Sequence, residues 1–138
     1  MRQNESVFVD SGAWIALALS RDPLHSRARE QWDILQGDAA KLHTSVPVII
    51  ETFTFLDRNA TRDVALAWKE SIDRLSGLKV HVCDLRDLEH SWDYFRRADL
   101  HRLSAVDATS FAIMRRTGIR VAYTFDHHFA VVGFRAVG

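Results

Sequence analysis

The feature that most constrains this fold is the alternation of short apolar runs with helix-length segments. Val7-Phe8-Val9 is a wholly apolar run of strand-forming residues, which predicts a strand buried on both faces. Further strand-like runs follow at 41–44, 79–83 and 120–124, and 133–137 suits a short edge strand. Strands joined by helices need crossover connections, so we expect a mainly parallel sheet covered by helices on both sides.

Capping residues, prolines and glycines mark where the intervening helices begin and end. The predicted helices run from Asp10-Ser11-Gly12 to about Ser20, from Asp22-Pro23 to Gly37, from Ser45 onward, from Thr61 to Gly77, along the Leu88, Trp92 and Phe95 stripe, and from Ser104 to Thr117-Gly118. No repeat or Pro/Gly-rich linker divides the 138 residues. We therefore predict one domain spanning residues 1–138.

Composition narrows the class of protein. With 47% hydrophobic and 26% charged residues, the chain has the make-up of a globular domain. The single cysteine, Cys83, excludes an internal disulfide framework and a multi-cysteine metal site, which favours a reducing compartment and a cytoplasmic location. The longest apolar run, 13–19, is far shorter than the roughly 20 residues that span a bilayer, and no secretory signal opens the chain. We expect no membrane association.

Charge is distributed unevenly along the chain, although the net charge is zero. Residues 94–138 contain seven Arg and three Asp, a local charge of +4, so the first 93 residues carry −4. Arg suits forked contacts to phosphate, but a solvated helix face explains any single one of these side chains equally well. Only their joint excess suggests an anionic partner.

Four acidic residues occupy unusual places for surface charges: Asp10, Glu51, Asp107 and Asp126. Three of them have ordinary structural explanations, since Asp10 suits a helix cap, Asp107 a capping box with Ser104, and Asp126 a turn. Glu51 lies among apolar neighbours, and a carboxylate removed from water without a partner costs several kcal/mol. The sequence therefore predicts that Glu51 has a partner.

Two of these acids follow predicted strands directly, which places Asp10 and Asp126 at the carboxyl edge of the sheet, where parallel sheets bind ligands. Carboxylates that converge raise one another's pKa or require a cation between them. The three lysines fall outside these motifs. A hard divalent ion bound by oxygen, Mg²⁺ or Mn²⁺, is the favoured neutraliser, and the chemistry it implies is phosphodiester hydrolysis.

The same residues resemble those of the PIN-domain ribonucleases, particularly the VapC-type toxins of bacterial and archaeal toxin–antitoxin pairs. The resemblance is carried by the segments 7–17, 44–52, 103–111 and 124–129, which span almost the whole chain. Successive acids are separated by 41, 56 and 19 residues, in the order and at the rough distances of that family. One departure is Gly12, where the family often has a hydroxyl residue.

The resemblance implies a three-layer α/β/α sandwich with strand order 3-2-1-4-5 and an acidic quartet around Mg²⁺ or Mn²⁺. Asp10 and Asp107 are then the principal metal ligands, Asp126 binds directly or through water, and Glu51 acts through water or orients and deprotonates the nucleophile. Two serines are expected to support them. Ser104 caps the helix that carries Asp107, and Ser11 is a backbone hydrogen-bond partner or contacts the metal ligands.

The activity implied by the resemblance is a metal-dependent endoribonuclease that leaves a 5′-phosphate and a 3′-hydroxyl. A homodimer and a small cognate antitoxin are implied partners. Two alternatives stay open within the family: a standalone PIN nuclease in RNA processing, and a PIN scaffold that binds RNA or a partner without cutting. Adjacent residues on an extended segment point apart, so at most one of His127 and His128 is expected to face the site.

Other classes of protein fit less well. A haloacid-dehalogenase-like phosphatase needs an Asp two residues after Asp10, where Gly12 stands. A receiver domain needs a lysine after a late strand, where this chain has Phe125-Asp126-His127. The four tryptophans fall in helical apolar stripes, which favours core or dimer surface over base stacking: Trp14, Trp32, Trp68 and Trp92.

Overall fold

The computed structural model describes residues 2–137. Five strands lie in one sheet: β1 (Ser6–Val9), β2 (Lys41–Ser45), β3 (Lys79–His81), β4 (Val121–Tyr123) and β5 (Arg135–Ala136). The helices are α1 (Ser11–Ala18), α2 (His25–Gly37), α3 (Val46–Asn59), α4 (Arg62–Asp73), α5 (Leu85–Phe95), α6 (Ala105–Thr117) and α7 (His128–Val131). The strand order is β3-β2-β1-β4-β5 and every pairing is parallel, which confirms the predicted architecture.

The centre of the sheet is the centre of the core. Val7, Phe8 and Val9 are fully buried, as an all-apolar strand covered on both faces must be. Strand β1 pairs with β4 in the register Val9 to Tyr123. Both strands therefore end at the same level, and the residues that follow them meet at one edge of the sheet.

Capping chemistry sets several helix boundaries as the sequence predicts. Ser45 and Thr61 accept hydrogen bonds from the backbone N–H groups of Val48 and Val64 at the starts of α3 and α4. Gly118 ends α6 with φ +73°, a left-handed conformation that favours glycine.

Three expected helix boundaries are wrong. Helix α1 ends at Ala18 rather than near Ser20. Helix α2 begins at His25, because the carboxylate of Asp22 instead caps a separate turn by accepting the Leu24 N–H at 2.8 Å. Helix α4 ends at Asp73 rather than at Gly77, and Gly77 has φ +80° in a turn between α4 and β3.

The helix predicted from Leu88, Trp92 and Phe95 is present as α5, but two of these three side chains are exposed. Trp92 and Phe95 are 40% and 43% exposed, whereas Asp87 and Ser91 are buried. On this inward face of α5, Arg116 of α6 neutralises Asp87. Strand β3 is two residues shorter than expected and ends at His81.

Trp14 and Trp68 lie in the core as expected. Among residues 2–137, none of the helices has both the length and the hydropathy that crossing a bilayer requires.

Candidate active site

The four predicted acids lie together. Asp10 follows β1, Asp126 follows β4 by three residues, Asp107 is in the first turn of α6, and Glu51 is on α3. All four line one open cavity of about 520 Å³. The adjacency of β1 and β4 brings together side chains that are more than 100 residues apart in the chain.

Asp10 is held by the strand beside it. One carboxylate oxygen, Oδ2, accepts a hydrogen bond from the Thr124 hydroxyl at 2.9 Å. The other, Oδ1, is buried and has no hydrogen-bond partner within residues 2–137. Burial raises the pKa of Asp10 to about 6, against the lowering effect of Thr124 and the Ser11 N–H, and the charges of Glu51 and Asp126 add to the rise.

Asp107 is held by its helix. It is the third residue of α6, and its N–H donates to the hydroxyl of Ser104, the residue that caps the helix, at 3.0 Å. Burial first, and then the neighbouring charge of Asp10, raise the pKa of Asp107 to about 9. Asp107 therefore keeps its proton at neutral pH when no cation is bound.

Asp126 is the acid of the cluster whose ionised form is favoured. Burial raises its pKa, but the hydrogen bond from the Asp107 carboxyl group outweighs that effect and the pKa is lowered. The backbone N–H of His128 also donates to Asp126 Oδ1, at 2.8 Å. This hydrogen bond closes the turn that the sequence alone suggested for Asp126.

Glu51 has the partner that its apolar neighbourhood required. The Ser11 hydroxyl donates a hydrogen bond to Glu51 Oε1 across 40 residues of sequence. Ser11 and Ser104 both line the cavity with the four acids, as expected of supporting residues. Gly12 lines it as well, where the family often has a hydroxyl.

The two histidines depart from expectation, because both line the cavity. His127 has helical backbone angles and α7 begins at His128, so the segment is not extended and the rings lie 4.3 Å apart. His127 is exposed, whereas His128 is buried and its Nε2 donates to the His101 carbonyl at 2.7 Å. Ligand atoms of Asp126, His127 and His128 lie within 4.8 Å of one another, a further group able to contact a metal ion.

Sequence reasoning did not single out Thr124 or the role of His128. Thr124 directly follows β4 and lies next to Asp10, so the predicted adjacency of β1 and β4 is the signal that could have found it. The bond from His128 to a backbone carbonyl 27 residues away left no pattern in the sequence.

No basic Lys or Arg side chain on the described wall of the cavity offsets its acids. Of the residues described along its wall, none is Lys or Arg, although four are acidic. The unpaired Asp10 Oδ1 and the raised pKa values of Asp10 and Asp107 show that these two carboxyl groups have no positively charged partner among the described residues. Mg²⁺ and Mn²⁺ prefer such oxygen donors, so the residues present fit a hard divalent ion.

Comparison with known proteins gives the family. A model of the PIN domain matches residues 7–135. The chain belongs to the PIN-domain family. This PIN-domain chain is also 37% identical over 129 residues to the 23S rRNA-specific endonuclease VapC20 of Mycobacterium tuberculosis, an alignment that covers 93% of the chain and 95% of that protein. It is therefore a PIN-domain protein of the VapC type.

Solved structures agree with this placement. The crystal structure of Mycobacterium tuberculosis VapC20, a Sarcin-Ricin loop cleaving toxin, matches with a TM-score of 0.82 and 34% identity, covering 93% of this chain and 95% of that one. VapBC2 from Rickettsia felis, bound to a DNA fragment from its promoter, matches with a TM-score of 0.70 at 8% identity, covering 95% and 96%. The second likeness shows the fold alone.

Proposed function

We propose that this VapC-type chain is an endoribonuclease that hydrolyses RNA phosphodiester bonds with a divalent cation, Mg²⁺ or Mn²⁺, and acts as the toxin of a toxin–antitoxin pair. The observation that carries the proposal is the convergence of Asp10, Glu51, Asp107 and Asp126 on a cavity whose described wall holds no Lys or Arg. Four carboxylates arranged in this way are costly to a fold unless a cation joins them. The 37% identity to a named endonuclease supports the same activity.

Asp10, Asp107 and Asp126 would hold the cation. When bound, a divalent ion neutralises these carboxylates and draws charge from the phosphate under attack. Thr124 fixes the Asp10 carboxylate, and the Ser104 cap fixes the turn that presents Asp107. Such support keeps metal ligands in one orientation, and its loss typically costs roughly 10- to 100-fold in activity or metal affinity.

Glu51 would orient the attacking water and accept its proton. Ser11 donates to Oε1 and so holds the carboxylate in place. The water oxygen forms a bond to phosphorus while the bond to the 3′ oxygen breaks, and the leaving oxygen takes a proton from solvent. The products are a 5′-phosphate and a 3′-hydroxyl.

Cleavage of total cellular RNA and of purified 23S rRNA tests the proposal, with the rRNA chosen because of the relative's named specificity. With Mg²⁺ or Mn²⁺ we expect cutting by the wild type. Asp107→Asn and Asp10→Asn should each reduce it by about 10²-fold or more, the scale of one lost electrostatic contribution to the transition state. Asp73→Asn on α4 makes the same chemical change outside the cavity and should have no effect.

Circular dichroism should show all three variants folded. Cleavage that survives EDTA and both site substitutions would contradict the metal mechanism. Metal-dependent RNA binding without any cleavage would select the non-cutting scaffold instead. A short neighbouring reading frame for a DNA-binding protein would support the toxin assignment, and its absence would favour a standalone nuclease.

The proposed partners are RNA, a cognate antitoxin and a second copy of the chain. The proposed location of the protein is the cytoplasm. An exposed apolar patch beside Glu51 supports the homodimer: Val46, Ile50 and Val82 border one depression and are 40%, 60% and 65% exposed. Sedimentation should find a dimer that Val82→Glu converts to monomer. Leu66→Glu, at an exposed position of α4, should leave the dimer intact.

A further inference from the structure

The acidic site repels the substrate proposed for it. RNA carries a negative charge on every phosphate, and the cavity contributes four carboxylates with no Lys or Arg among its described wall residues. A metal ion offsets charge at the reacting phosphate, but the flanking phosphates need cations of their own. A nuclease built on this site therefore needs a basic side chain at the cavity rim.

Most of the arginines in the basic C-terminal part of the chain are already engaged. Their partners are Asp93 for Arg96, Asp99 for Arg97, Asp87 for Arg116, Glu5 for Arg135, and the Val132 carbonyl and Phe134 ring for Arg115. Within residues 2–137, Arg102 and Arg120 have no ion-pair or side-chain hydrogen-bond partner. Both side chains are exposed.

These two free arginines lie in different places. Arg120 precedes β4 directly and so lies at the amino edge of the sheet, opposite the acids. Arg102 lies two residues before Ser104, which lines the cavity. Of the two, only Arg102 is close in sequence to a residue of the cavity wall.

The segment that carries Arg102 is fastened in place. Leu100 and Leu103 are buried on either side of it, at 7% and 8% exposure. The carbonyl of His101 accepts the hydrogen bond from His128, whose ring borders the cavity. The backbone that carries Arg102 is therefore tied to the site itself.

The backbone of Arg102 is strained. Its φ is +57°, in the left-handed region that non-glycine residues rarely adopt. Among the described residues, the other non-glycine positions with positive φ are Asn4 and Ala39, which flank the hydrogen bond from the Asn4 N–H to the Asp38 carbonyl. Strain that persists next to a cavity, in a segment held on both sides, indicates a functional placement.

We propose that Arg102 binds a backbone phosphate of the RNA beside the acidic site and so positions the strand for cleavage. This inference rests on the proposed ribonuclease function. The contact is to phosphate and not to a base, so it contributes affinity and register without reading sequence.

Arg102→Asn tests the proposal, because Asn removes the charge and tolerates a left-handed backbone. Arg120→Asn is the matched control, since Arg120 is exposed, lies at the opposite edge, and has no ion-pair or side-chain hydrogen-bond partner within residues 2–137. Kinetics are measured on a fluorescent RNA fragment that spans a mapped wild-type cleavage site, at several salt concentrations. We expect Arg102→Asn to raise KM roughly tenfold or more, the effect of one lost charge-assisted hydrogen bond, and to change kcat less.

The salt dependence separates a phosphate contact from a structural role. Arg102→Asn should reduce the slope of log(kcat/KM) against log salt by about 0.7 to 0.9, the release of one counterion. Arg102→Lys should keep the wild-type slope, and Arg120→Asn should match the wild type in both KM and slope.

If wild type cuts RNA but Arg102→Asn and Arg120→Asn behave alike, the inference is wrong and the proposed function stands. A lower kcat with an unchanged salt slope would assign Arg102 a structural role and also overturn it. If wild type cuts no RNA with either metal, the proposed function and this inference fall together.

Discussion

Two buried aspartates at the same position of a helix have pKa values shifted in opposite directions. Asp87 and Asp107 are each the third residue of a helix, α5 and α6, and are 1% and 6% exposed. In each case the backbone N–H donates to the side chain of the capping residue, Asp84 or Ser104. By local structure alone both are helix-start aspartates.

Their neighbours distinguish them. Asp87 accepts two hydrogen bonds from the Arg116 guanidinium, at 2.8 and 2.9 Å. Burial raises the pKa of Asp87, but this pair and the capping bonds outweigh burial, so the pKa is lowered. Asp107 faces other carboxylates, and its pKa rises to about 9. Arg116 of the same chain neutralises Asp87, whereas Asp107 needs a cation from solution. A perturbed acid without a partner in the protein is a candidate for a binding or catalytic role, and a paired acid stabilises the fold.

The largest effect expected from this contrast is stabilisation by metal. Mn²⁺ at 100 times its dissociation constant should raise the free energy of unfolding of the wild type by about 2.7 kcal/mol. Asp107→Asn should lose most of that gain, whereas Asp87→Asn should retain it. Urea denaturation with Mn²⁺ and with EDTA measures both. Equal stabilisation of the two variants would remove Asp107 from the metal site.

The next effect is on stability without metal. Asp87→Asn leaves Arg116 without its anion and should lower the free energy of unfolding by about 1–3 kcal/mol. Asp107→Asn removes a destabilising acid and should leave stability unchanged or raised. Denaturation in EDTA compares them, and a larger loss for Asp107→Asn would mean that its role is structural.

A further effect, and the sharpest in sign, is on pH dependence. The folded-state pKa values of Asp107 and Asp10 lie above the ordinary 3.8, so the folded protein binds more protons than the unfolded chain. Their stabilising contribution is complete below pH 3.8 and is lost as pH rises toward about 6 for Asp10 and 9 for Asp107. Asp87 has the opposite sign, since its contribution is present above pH 3.8 and is lost as pH falls through its lowered pKa.

In EDTA, the free energy of unfolding of the wild type should therefore include a component that falls between about pH 4 and pH 9. Asp107→Asn should flatten that decline, and Asp87→Asn should leave it in place while reducing the loss at acidic pH. Denaturant titrations at several pH values would refute the assignment if Asp107→Asn kept the full wild-type slope.

Local chemistry made much of the fold predictable. The apolar β1 strand, the caps at Ser45 and Thr61 and the left-handed Gly118 all depend on near neighbours in sequence, and each is where the pattern indicated. Asp22 misled the prediction because a capping residue can start a turn as readily as a helix. The burial of Asp87 could not be foreseen, since its partner Arg116 lies on another helix.

The four acids were predictable as candidates because their spacing resembles that of a known family, but their electrostatic states were not. Those depend on Thr124 lying beside Asp10, on Asp107 bonding to Asp126, and on the absence of Lys and Arg from the described wall of the cavity. None of these contacts is local in sequence.

The sequence by itself determined that strands and helices alternate, where most helices are capped, and which carboxylates follow strand ends, because backbone preference and hydrophobic periodicity act over a few residues. Only the tertiary structure decided which buried aspartate receives an arginine and which does not. That outcome depends on side chains brought together from distant parts of the chain, where burial strengthens electrostatic interactions that are weak in the unfolded chain.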